Sequence, residues 1–195
     1  MQWLKAQGWP QAIRKHLRYG GKVFAICGGF QMLGTEVEDP DGLEGEVGTT
    51  EGLGLLEMTT RMVAGKQLKD VTGTLTISPD KAAFIGYEMH NGVTTGPALT
   101  SPVAELDGKP DGAISEDGQV AGTYVHGIFD QPEACRTILH WASRGGDSEL
   151  AGEAVNYRQH RQQQLDRLAD LVEDHLDTDW LRKLLGLSKH DPQHR

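Results

Sequence analysis

The stretch that decides the fold is Val23-Phe24-Ala25-Ile26-Cys27-Gly28-Gly29-Phe30-Gln31-Met32-Leu33-Gly34. From Lys22 to Ile26 it is nearly all apolar, as a short strand covered on both faces should be. Cys27-Gly28-Gly29 has the composition of a sharp turn, and Phe30 opens a helix that Gly34 cuts short. Strand, sharp turn and helix make one α/β unit. A side chain on such a turn projects from the carboxyl end of the sheet, where open α/β folds bind ligands. Cys27 holds that position. The helix start beyond it favours a thiolate, and the paired glycines let a substrate approach closely. From the spacing alone, Cys27 reads equally as a nucleophile or as a structural cysteine at a strand end.

Working outward, Leu4, Ile13 and Leu17 stand at loosely helical spacing, with Pro10 interrupting. This predicts a helix from about Pro10 to Tyr19, closed by Gly20-Gly21. Beyond the central unit, Thr35 to Gly54 is acidic and glycine-rich and reads as a surface loop. Leu55 to Val63, Gln67 to Ile77 and Phe84 to His90 alternate well enough for antiparallel edge strands. Turn chemistry marks Asp107-Gly108, Lys109-Pro110-Asp111-Gly112 and Asp117-Gly118. Gln119 to Val125 reads as another strand, delivering His126 at its end. A helix opens at Gln131-Pro132-Glu133 and runs to about Ser143, with the proline suited to its first turn. In the tail, Leu165, Leu168, Val172 and Leu176 share one face of a long helix ending near Asp177. Thr178 or Asp179 then caps a last short helix. The expected organisation is an α/β core over residues 1–150 with residues 151–195 as its helical extension.

Composition removes several classes of function. With 195 residues, 37% of them apolar and 24% charged, the chain is globular and long enough to bury a real core. A net charge of -9 argues against a nucleic-acid partner. The apolar runs are too short to cross a bilayer, and Met1-Gln2-Trp3-Leu4-Lys5 lacks a signal pattern, so the expectation is a cytoplasmic protein. Most of the 25 glycines fall between Gly20 and Gly127, and no segment repeats. Of the two cysteines, Cys135 falls inside an amphipathic helix beside Ala134 and Ile138, where core packing explains it.

A nucleophilic thiol needs a base. Among eight histidines, His16, His140, His160, His175, His190 and His194 fall in helices or the tail, where solvated or capping roles suffice. His90 and His126 stand at strand ends with glycine neighbours, and either imidazole is suited to the task at neutral pH. A metal site built from Cys27, His90 and His126 has no Cys-x-x-Cys or His-x-x-x-His pair behind it, so no metal is expected.

Together these segments carry a resemblance. Ile26-Cys27-Gly28-Gly29-Phe30-Gln31-Met32-Leu33-Gly34 resembles the nucleophile motif of class I glutamine amidotransferases, in the cobalamin-biosynthesis branch that includes the cobyric acid synthases. Gly86-Tyr87-Glu88-Met89-His90, Asp111-Gly112-Ala113 and the run from Gly122 to Asp130 resemble further motifs of that branch, in the same order. Tyr157-Arg158 and Asp166-Arg167-Leu168-Ala169-Asp170 resemble its C-terminal helix. The resemblance implies a flavodoxin-like, three-layer α/β domain that hydrolyses glutamine, with Cys27 as nucleophile, His126 as general base and the Gly28 N–H holding the oxyanion. It points to Gln31, Glu88 and His90 as substrate-binding residues. It implies no cofactor in this chain. ATP and Mg belong to a partner synthetase domain, fused or separate, which carries the corrinoid substrate and uses the ammonia.

Two departures go with it. Class I members commonly carry a Glu two residues after the catalytic His; here that position is Ile128, so a dyad is expected, with Glu88 the first carboxylate to look for behind the imidazole. No Gly-x-x-x-x-Gly-Lys-Ser/Thr motif occurs. The resemblance also places a strand and a glycine-containing loop ahead of a segment like Met1 to Trp9. A sheet without its first strand, an oxyanion hole short of one donor and a poorly active, self-associating isolated chain are therefore expected. Two other functions fit parts of the pattern: a catalytically silent interaction domain, and the glutaminase of a cell-wall amidating pair. The intact Cys27 and His126 favour an enzyme over the first, and the Asp-Arg-Leu-Ala-Asp tail favours the cobalamin branch over the second.

Overall fold

In the computed structural model, which describes residues 1–79, 81–143 and 156–186, the deciding stretch forms a strand, a turn and a helix as expected. In chain order the strands are β1 (Val23–Ile26), β2 (Glu36–Asp39), β3 (Gly48–Glu51), β4 (Thr59–Leu75), β5 (Ala83–Thr95), β6 (Ala104–Leu106), β7 (Lys109–Asp111), β8 (Ala113–Ile114), β9 (Val120–Thr123) and β10 (Val125–His126). The helices are α1 (Gln2–Ala6), α2 (Trp9–Arg18), α3 (Gly28–Leu33), α4 (Pro132–Ala142), α5 (Tyr157–His175) and α6 (Thr178–Leu184). The chain divides into two compact units, Met1–Ala154 and Val155–Arg195.

Within the first unit the strands form two sheets. β1 pairs in parallel with β9, and β9 in antiparallel with β8. The larger sheet runs β10-β5-β4-β2-β3, with β6 on the far end of β4 and β7 beside it. Alternation along β1 builds the layers. Val23 and Ala25, like Ile13 and Leu17 of α2, pack against the buried cluster that holds Phe30 and Leu33 of α3. Phe24 and Ile26 face the opposite way, onto Ala134, Ile138 and Trp141 of α4. Phe24 meets the rings of Phe129 and Trp141 edge-on, at 5.7 and 6.0 Å. Helices thus cover both faces of the small sheet, and the three-layer α/β arrangement read from the sequence is present. Gly122 makes the α3 layer possible, because a Cβ there would collide with the Phe30 ring and the Ala25 carbonyl.

The structure corrects several sequence readings. β1 is half-buried along its length rather than covered on both faces, because it is an edge strand paired only with β9. Thr35 to Gly54 is not all loop; it contains β2 and β3, paired in antiparallel. The separate strands at Leu55 to Val63 and Gln67 to Ile77 are one strand, β4, whose pairing with β5 shifts register between Met62 and Gln67. Lys109-Pro110-Asp111 is a strand, and Pro110 is tolerated because β7 pairs only with β6. The turn before it is Asp107-Gly108, both residues at positive φ (49° and 76°), as a tight hairpin requires. Gln119 to Val125 is broken at Tyr124 into β9 and β10, which lie in different sheets. A short α1, absent from the sequence reading, precedes α2, and Pro10 sits in the first turn of α2.

In the second unit, α5 is capped by Asn156, whose side chain accepts the Gln159 N–H at 3.0 Å. The cap of α6 is Asp177 rather than Thr178 or Asp179; it accepts the Trp180 N–H at 2.9 Å. Neither helix buries a residue. His190 and His194 lie outside the described residues.

Candidate active site

Cys27 ends β1 and caps α3, and its backbone lies at φ 53°, ψ −116°. Among the described residues only Cys27 and Asp107 hold positive φ without being glycine. Asp107 has a hairpin turn to explain it; Cys27 has none, and such a conformation costs roughly 1–3 kcal/mol unless the surroundings enforce it. They do. The Cys27 N–H donates to the Thr123 carbonyl at 2.9 Å, and the Cys27 carbonyl accepts the Gln31 N–H at 3.0 Å. The strained strand-to-helix turn aims the side chain off the sheet, and the Cys27 thiol donates to the Met89 carbonyl at 3.6 Å. Next to it, Gly28 opens α3, and a Cβ built there would meet open space, so the turn is unobstructed.

His126 arrives from the other sheet. β10 pairs with β5, placing Val125 opposite Glu88 and His126 opposite Tyr87. Gly86 allows that close pairing, because a Cβ there would strike the His126 carbonyl. The imidazole stacks on the Tyr87 ring at 5.0 Å and 9°. Its Nε2 is buried and makes no hydrogen bond among the described residues. The structure therefore brings Cys27 and His126 against one stretch of β5, Tyr87 to Met89.

Glu88 and His90 belong to the opposite face of that strand. His90 donates Nδ1–H to the Gly92 carbonyl at 2.9 Å, and its Nε2 lies 3.5 Å from the Glu88 carboxylate. Its ring stacks on Tyr124 at 3.8 Å. Glu88 thus pairs with His90 and does not stand behind His126; the Tyr87 ring orients that imidazole instead. Gln31 is buried, and its amide donates to the Tyr124 hydroxyl at 3.3 Å, which bonds Thr94 at 2.5 Å, itself bonded to Thr60 at 2.7 Å. A cavity of about 350 Å³ opens beside this network, lined by Phe30, His90, Thr94, Leu99, Asp111 and Tyr124 among others. Burial pushes the Asp111 carboxyl above its ordinary range, the Thr123 hydrogen bond opposes that rise, and the Glu88 charge adds to it.

Cys135 is half-buried in α4, away from these groups, and burial raises its thiol pKa. Among the described residues no three His, Cys, Asp or Glu side chains gather as metal ligands would. No described helix is long and apolar enough to cross a membrane. The sequence reading missed Tyr87, Thr123 and Tyr124. Most of their partners lie across strands, so no local pattern marks them, although Tyr87 stands three residues before His90 and Tyr124 two before His126.

Fold and site together define a class: an α/β domain presenting a cysteine on a strained strand-to-helix turn, with a histidine delivered beside the same strand. The model of the CobB/CobQ-like glutamine amidotransferase domain family matches residues 1–134, and the chain belongs to that family. Among solved structures the chain is similar to PurLQS from Thermotoga maritima, at 18% identity over 82% of this chain and 68% of that one, with a TM-score of 0.42.

Proposed function

We propose that this chain is the ammonia-supplying glutaminase of a cobyric acid synthase, acting through Cys27 and His126. The observation that carries the reading is the positive-φ turn at Cys27, set against the same β5 stretch as the unpartnered Nε2 of His126. His126 takes the thiol proton as the sulfur attacks the side-chain amide carbon of glutamine, and the tetrahedral oxyanion forms. In this reading the oxygen is received by the Gly28 N–H, which lies in the first turn of α3 where amides have no helical partner, a contact worth roughly 3 kcal/mol. The carbon–nitrogen bond then breaks, and His126 returns its proton to the leaving nitrogen, releasing ammonia. Water gives its proton to His126, its oxygen attacks the glutamyl thioester, and the thiol is restored as glutamate leaves. A partner synthetase domain, with ATP and Mg, takes the ammonia onto side-chain carboxylates of a corrinoid. The Asp-Arg-Leu-Ala-Asp tail supports this partner over a cell-wall one.

The test is glutamine hydrolysis by the purified chain and its Cys27→Ser variant. Glutamate and ammonia should form in equal amounts with the native chain and vanish in C27S, whose fold should be unchanged. Hydrolysis that survives C27S would overturn the assignment. For the pathway, ATP-dependent amidation of a corrinoid acid by the synthetase partner, with glutamine as nitrogen source, should require this chain.

A further inference from the structure

We infer that Thr123 and Asp111 form a positioning couple that holds the candidate nucleophile and base in register across the seam between the two sheets; this rests on the proposed glutaminase reading. β9 belongs to the small sheet with β1, and β10 to the large sheet with β5, so the chain must change sheets within Thr123 to Val125. A strand that leaves its ladder has a backbone N–H to satisfy in the interior. The Thr123 hydroxyl does this, accepting the Val125 N–H at 3.0 Å. The same residue's carbonyl accepts the N–H of Cys27 at 2.9 Å. One residue therefore fixes the nucleophile turn through its backbone and the strand carrying His126 through its side chain.

A hydroxyl that accepts from Val125 must direct its own proton elsewhere, and that proton goes to the Asp111 carboxylate. Thr123 is fully buried. Valine would fill the same space, and a carboxylate drawn into this interior is destabilising unless its hydrogen bond serves a purpose. The purpose here is orientation: with its proton held by Asp111, the Thr123 oxygen keeps a lone pair on the Val125 N–H. Both are positioning residues, acting through Cys27 and His126.

The experiment uses the full 195-residue chain and measures steady-state glutamine hydrolysis together with labelling of Cys27 by a glutamine-analogue electrophile. Misplacement of a catalytic pair lowers the chemical step more than binding, so Thr123→Val should reduce kcat and the labelling rate roughly ten- to a hundredfold, with KM within about threefold. Thr123→Ser, which keeps the hydroxyl, should stay within about threefold of the native chain on every measure. Asp111→Asn keeps an acceptor for the hydroxyl and Asp111→Leu removes it, so the same contrast should appear from the other side of the bond, whether or not T123V folds. Native rates in both T123V and D111L would overturn the couple. Equal impairment in T123S and T123V, with KM rising alongside the fall in kcat, would mark plain structural damage and overturn it too. If C27S itself still hydrolyses glutamine, the reading of the site falls and the couple with it. If C27S is inactive while T123V is native-like, only the couple falls.

Discussion

Cys27 is one of two non-glycine residues at positive φ among the described residues, and the cost is met by two main-chain hydrogen bonds, to Thr123 and from Gln31. A residue held this way loses little structure when its side chain changes by one atom, so C27S should separate chemistry from folding. His126 and His90 make a sharper contrast. The former stacks on Tyr87, beside the β5 stretch that the Cys27 thiol touches, whereas the latter is tied through Nδ1 to the Gly92 carbonyl, stacks on Tyr124 and faces Glu88. His126→Ala should lower single-turnover hydrolysis by roughly two to four orders of magnitude, the loss that follows removal of a general base. His90→Ala should leave the single-turnover rate largely intact and raise the glutamine concentration needed for half-saturation. Equal losses in the chemical step would return the base to an open choice between the two.

Elements show where local pattern sufficed and where it failed. Substituting Gly122 by Ala drives a methyl group into the Phe30 ring and the Ala25 carbonyl. Overpacking of this kind costs about 1–3 kcal/mol, which a urea titration should register as a lower midpoint with unchanged slope. The loop between β2 and β3 offers a pH test. Asp39 accepts N–H groups from Glu44 at 2.9 Å and Leu43 at 2.8 Å, which hold its carboxyl below the ordinary 3.8. A carboxyl depressed in the folded state adds stability that is present above its ordinary value and lost as pH falls through the folded value. Asp39→Asn should therefore flatten the acid side of the stability profile below about pH 5, measured by urea midpoints across pH. The β1–turn–α3 unit was legible because an apolar run, a glycine pair and a helix start sit next to one another in sequence. β2 and β3 were not, because β3 is exposed throughout and β2, Glu36-Val37-Glu38-Asp39, is mostly acidic with no alternation of buried and exposed residues. The β9–β10 break was hidden for another reason: it depends on the Thr123 hydroxyl and on Asp111, twelve residues upstream. Cys27 and His126 were legible as strand-end residues, while the Tyr87 stack that orients His126 exists only across a strand pair.

At the scale of the whole molecule, both buried clusters end by Trp141, and α5 and α6 bury none of their own residues. The unit Met1–Ala154 therefore holds the complete described core and all of the candidate site. A chain shortened to that unit should unfold cooperatively and keep its Cys27 labelling rate within about threefold, since a unit with its own core is independently stable. Loss of cooperative unfolding would show that the second unit contributes to the core. The central claim, that this fold positions one cysteine for covalent attack on glutamine, is tested most directly by mapping the adduct of a glutamine-analogue electrophile on the full chain by peptide mass spectrometry. The account predicts one adduct, on Cys27, formed in competition with glutamine and slowed in His126→Ala, with Cys135 unmodified because burial holds its thiol protonated. Labelling of Cys135 first, or labelling of Cys27 that glutamine does not slow, would contradict it.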